Sequence, residues 1–213
     1  MPIAEPMTMF TDYVLGVLAL SFAARIAVAG RRAGSMAQLT WSAALLALSF
    51  TAFVGGTVHG FAPALSERGE AGLWQAIFLS IGVTNAALLA GEITATFAAR
   101  TRRSLLVLTA LMLAAYTGLV VTRGSLELVM LYSVPMTAAV LALGVFAWSR
   151  RSAPSGAWIA GGIATMALSA GVKQSGFTLG PEFDTNNVCH VIQMVGAWLL
   201  YRGGLLFPAA PAT

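Results

Sequence analysis

Seven apolar runs of about 20 residues, parted only by short turns, leave this chain one kind of place to fold. They cover roughly 11–30, 36–60, 72–98, 104–122, 126–148, 156–176 and 186–205. A helix of about 20 residues rises about 30 Å, which matches the hydrocarbon thickness of a bilayer. The connections GRRAGS, ARTRRS and SRRSAPSG are rich in Arg, Gly, Ser and Pro, as tight turns between packed helices are. The expectation is an all-α polytopic membrane protein, a single seven-helix transmembrane domain over residues 1–213 with no soluble domain attached. Composition argues the same way. The chain is 58% hydrophobic and 9% charged, with a mean hydropathy of +0.81. A soluble domain carries about a quarter charged residues. The soluble-enzyme, nucleic-acid-binding and disordered classes are thereby excluded, in spite of the net charge of +4.

The basic residues find their explanation in topology. With the N-terminus outside, Arg31, Arg32, Arg100, Arg102, Arg103, Arg150, Arg151 and Arg202 all fall on the inner side, and Arg25 can snorkel towards it. The acids Glu5, Asp12, Glu67, Glu70, Glu127, Glu182 and Asp184 fall outside, and Glu92 alone is deep. Seven spans then put the C-terminus in the cytoplasm. Membrane lipids are the expected partners and nucleic acid is not. The N-terminus, MPIAEPMTMFTDY, lacks the positive region of a cleavable signal peptide. The single cysteine, Cys189, cannot form an internal disulfide.

Ionisable and polar residues inside a membrane are costly, and they are functional candidates unless they serve helix packing. In the second helix Ser42, Ser49, Gly56 and His59 follow one helical stripe. In the seventh, Asn186, His190 and Gln193 share a face at i, i+4 and i+7. The sixth places Thr165, Ser169 and Lys173 at successive turns. Because helices alternate in direction, His59, Lys173, His190, Asp12 and Glu127 share one leaflet. The expected partners of Lys173 are Asp184, Glu182 or Asp12, and Glu92 is expected to hydrogen-bond a neighbouring helix. Pro135 predicts a kink in the fifth helix. A retinal protein is excluded, because the only lysine lies in the sixth helix and the seventh has none.

His59 closing the second helix and His190 opening the seventh resemble the seven-helix superfamily of alkaline ceramidases and adiponectin-type receptors. The closing stretch KQSGFTLGPEFDTNNVCHVIQMVGAWLLYRGG also resembles an uncharacterised bacterial branch related to that group. Members hold zinc through a histidine ending helix two and an HxxxH pair in helix seven, with a serine one turn before the first histidine. The resemblance implies zinc at His59 and His190, with Asp184 replacing the missing third donor. Asn186 stands where the other histidine belongs, and Gly55 where the serine belongs. It further implies a metal-dependent hydrolase of a lipid amide or ester in the outer leaflet, with a zinc-polarised water attacking the carbonyl. Glu70 or Asp12 would be the base, and Lys173, Asn186, Gln193 and Ser49 would contact the substrate. The location implied is the inner membrane of a bacterium. The alternative is a metal-free binder, receptor-like or transporter-like, that uses the same polar pocket for a lipid or small amphiphile.

Overall fold

The computed structural model describes residues 3–151, 153–180 and 183–208. Seven helices follow one another: α1 (Pro6–Ala33), α2 (Met36–Phe61), α3 (Glu67–Thr96), α4 (Ala99–Arg123), α5 (Leu126–Arg151), α6 (Pro154–Ser175) and α7 (Thr185–Leu205). The first six are long and apolar enough to cross a membrane. The seventh has 21 residues, but its first half, TNNVCHVIQ, carries too many polar groups to match them.

Several boundaries move from the expected ones, each for a local reason. The first helix begins at Pro6 rather than near residue 11, because proline suits a first helical position. The backbone just before it is held by α2, since Ala4 N donates to Gly60 O at 3.1 Å and Glu5 N to His59 O at 3.2 Å. Asp12 is therefore nearly two turns inside α1 rather than at its start. The third helix begins at Glu67, where Ser66 accepts from Gly69 N and Glu67 and Glu70 face the positive end of the helix dipole. The fifth helix runs unbroken through Pro135. Glycines in the left-handed conformation end α1 at Gly34 and α6 at Gly176.

Helices α1, α2, α3, α5, α6 and α7 each pack on the next, and α7 returns to α1, so the six form a closed ring. Helix α4 stands outside it against α3 and α5, burying only Thr109, Tyr116 and Val120. Tyr116 is its anchor: the ring stacks on Tyr132 at 4.2 Å, and its hydroxyl donates to Phe78 O at 2.7 Å.

One end of the bundle gathers the starts of α1, α3, α5 and α7 and is called here the polar end. The opposite, arginine end is locked by Trp41, which is fully buried and donates from Nε1 to Leu200 O at 2.9 Å. Gly204 makes room for that indole; any Cβ there would overlap Trp41 Cδ1. Phe207 meets the same ring edge-on at 5.1 Å.

Candidate functional site

The polar end joins α1 to α7 through a buried network. Asp12 Oδ1 lies 3.2 Å from His190 Nε2, and Thr11 Oγ1 lies 2.8 Å from His190 Nδ1. Thr11 Oγ1 is also 3.1 Å from Asn187 Oδ1 and 3.1 Å from Thr8 O. Thr11, Asp12 and Asn187 are all buried. A hydroxyl has one proton to give, so Thr11 donates to only one neighbour at a time. When His190 carries its proton on Nδ1, the ring donates to Thr11, which passes its own hydrogen to Asn187 or Thr8. When Nδ1 is bare, it accepts from Thr11. Either way, both ring nitrogens are occupied by protein groups.

The place of Asp12 depends on α2. Gly55 has no side chain, and a Cβ there would come within 3.3 Å of Asp12 Oδ2. The position where the resemblance calls for a serine is thus the space the Asp12 carboxylate fills. Thr57, one turn from Phe53, bonds Phe53 O and Tyr13 instead.

His59 stands apart from this network. Its Nδ1 pairs with Glu5 Oε2 at 2.8 Å, and its ring meets Trp74 edge-on at 6.3 Å. Lys173 donates to Asn186 Oδ1. Of the three acids expected as its partner, Asp12 pairs with His190 and Asp184 caps α7, while Glu182 lies outside the described residues. Asp184 caps α7 by accepting from Asn187 N at 3.0 Å. His59, Asp184 and Lys173 are within electrostatic range of His190, while His59 Nδ1, Asp184 Oδ1 and Lys173 Nζ each bond another residue. Glu70 sits in the first turn of α3 and makes no side-chain bond to either histidine. Ser49 donates to Gly16 O at 2.8 Å, and Ser42 to Ala23 O at 2.8 Å; both tie α2 to α1.

The fit to zinc follows from these partners. Among the described residues, no group of three or more His, Cys, Asp or Glu is arranged to hold a metal ion. Both ring nitrogens of His190 face protein groups, Asn186 is engaged by Lys173, and Asp184 caps α7 through one of its two oxygens. As placed, these donors do not converge on one point, and no chemical step is derived through zinc.

Below the network, towards the middle of the ring, lies a cavity of about 270 Å³. Leu45, Leu48, Ile81, Leu88, Ile163, Met166 and Leu200 give it an apolar wall, and Thr51, Thr84, Asn85, Thr137 and Gln193 give it polar points. Gln193 is one turn from His190 on α7, so the cavity begins one turn deeper than the histidine. Its amide donates to Ser169 Oγ at 3.2 Å. Asn85 Nδ2 donates to Ser133 Oγ at 2.9 Å and its Oδ1 receives Thr137 at 3.5 Å. Ser169 and Cys189 exchange bonds with each other's backbone carbonyls, both at 3.2 Å, fastening α6 to α7 beside the cavity. Cys189 is buried and free.

Deeper still, Glu92 is fully buried, and its Oε1 has no hydrogen-bond partner. Its other oxygen receives only Thr96 of the same helix, at 3.5 Å. Among the described residues, Glu92 makes no hydrogen bond to a neighbouring helix. Sequence reasoning passed over Thr11, Asn187 and Glu5. The signal for Asn187 was the i, i+3 spacing to His190, overshadowed by Asn186 at i, i+4.

No curated protein and no solved structure matches the chain. Residues 7–207 match a family described as a family of unknown function, DUF6962. That match takes in all seven helices, the His190 network and the cavity beneath it, and the chain belongs to the DUF6962 family.

Proposed function

We propose that this integral membrane protein binds a small lipid-like or otherwise amphiphilic molecule inside its helix ring. The carrying observation is the cavity of about 270 Å³ with an apolar wall and polar residues at a few points, the usual composition of a small-molecule site. An apolar cavity of about 150 Å³ is enough to take benzene. By the same ratio this one takes roughly eleven non-hydrogen atoms, a short acyl chain or a small ring system. Asn85 and Gln193 offer amide groups to orient its polar end. In this reading all seven helices span the membrane, the N-terminus is outside and the C-terminus is cytoplasmic. The arginine-rich turns support that orientation.

The test is mass spectrometry of the organic extract from purified protein, beside a Leu48→Phe variant that puts a ring into the cavity. One small amphiphile, present near stoichiometry in the wild type and depleted in the variant, is the expected result. Identical extracts from the two proteins would overturn the reading.

A second reading, hydrolysis of a lipid amide or ester, is favoured by one observation. His190 stands between a carboxylate and a hydroxyl, one turn above the cavity, which is how a general base is oriented. A zinc-dependent form requires His190 to release one of its two present partners, Asp12 or Thr11. Elemental analysis of protein purified without a metal-charged column decides between forms. About one zinc per chain, lost in His190→Ala, restores the metal hydrolase; no zinc leaves the metal-free binder.

A further inference from the structure

At the arginine end, Arg25 carries a charge that no acid among the described residues pairs with. Arg25 is exposed on α1 and makes no ion pair or hydrogen bond among the described residues. Its packing neighbours, α2 and α7, bring no acid to that end. Asp12, Glu67, Glu70, Glu127 and Asp184 all lie in the opposite half, and Glu92 sits on α3, which does not pack on α1. No carboxylate of the described residues is placed to serve Arg25.

Beside it lies a groove of about 440 Å³ between α1 and α7, lined by Ala24, Arg25, Val28 and Tyr201. Tyr201 stacks on Phe22 at 4.6 Å, which fixes its ring, and its hydroxyl makes no hydrogen bond among the described residues. Two donors, a guanidinium and a phenol, thus share one groove that contains no carboxylate. The level of the groove is marked on α7 by the next residue, Arg202. Its guanidinium lies 5.1 Å from the Trp158 ring and 6.0 Å from Trp198, an arrangement suited to the headgroup region. Small and branched side chains at Ala24 and Val28 leave the groove open for an acyl chain to run along the bundle.

We infer that the α1–α7 groove is a binding site for the headgroup phosphate of an anionic phospholipid, held by Arg25 and Tyr201. The guanidinium supplies charge and paired donors, and the phenol adds a third hydrogen bond. The general attraction of basic turns for anionic lipid is diffuse; this site differs in joining a phenol fixed by Phe22 to the guanidinium of Arg25 in one groove.

The test is native mass spectrometry of protein in nanodiscs of mixed phosphatidylglycerol and phosphatidylcholine. Wild type, Arg25→Gln, Tyr201→Phe and Arg103→Gln are compared, the last removing an equal charge from α4, outside the groove. Circular dichroism confirms that each variant is folded. Retention of phosphatidylglycerol is expected to fall at least about tenfold in Arg25→Gln through loss of charge-assisted hydrogen bonds, less in Tyr201→Phe, and only by the diffuse share, about fivefold or under, in Arg103→Gln. Equal loss in Arg25→Gln and Arg103→Gln, or no loss in Arg25→Gln, would overturn the site. None of these variants touches the cavity, so the outcome is independent of what the cavity binds.

Discussion

At the scale of single residues, the polar end is governed by what each atom has left to give. Asp12 is buried beside His190, and removing the imidazole leaves a carboxylate with no cationic or donor partner on α7. His190→Ala is expected to cost about 3 kcal/mol in equilibrium unfolding. The double variant Asp12→Asn/His190→Ala should recover part of that loss, because it removes the stranded charge as well as its partner. Strictly additive losses would show that the two side chains do not act as a pair. Thr11→Val tests the other nitrogen of the ring. It keeps the shape of the side chain but withdraws its hydroxyl from His190 and Asn187, and a loss of about 1 kcal/mol is expected.

At the scale of helices, close approach at the arginine end depends on glycine. Gly204→Ala would drive a methyl group into Trp41, whose indole also bonds Leu200 O and meets Phe207. A loss of about 1–3 kcal/mol is expected from overpacking. Trp41→Phe in the Gly204→Ala background should restore part of it by shrinking the ring, and thermal melts of the four proteins would report this. The elements themselves were largely legible in the sequence. Apolar length announced seven helices, and the turn motifs placed their ends within a few residues. Starts were harder, because α1 and α3 begin at Pro6 and Glu67, in polar stretches ahead of the apolar runs, where only single capping residues mark the first turn. The histidines were legible as well, since charge in such a chain is rare enough to stand out. Their partners were not. Whether His190 meets Asn186, Asp184 or Asp12 depends on the rotation of α1 against α7, which is set by Gly55, Thr11 and Asn187 acting together. Periodicity gives the face of one helix; it says nothing of the face opposite.

At the scale of the whole molecule, the ring and its one excluded helix give a topology that can be read by labelling. Cys189 is buried, so the wild-type chain should be silent to a membrane-impermeant maleimide applied to intact cells. Ser66→Cys, at the polar end, should label from outside if the proposed orientation holds, and Ser104→Cys, at the arginine end, only after the membrane is opened. The reverse pattern would invert the molecule. The ring also has a history in time. Thr11 and His190 are separated by 179 positions in the chain, yet they share one hydrogen bond. A helix inserted first thus carries Asp12 into the membrane with its partner still unmade, and that debt lasts until the final helix arrives. Every truncated or stalled product that lacks α7 exposes the same unmatched carboxylate inside the bilayer. The contact of Asp12 with His190 can form only once α7 is in place, so the last helix to be made settles the first.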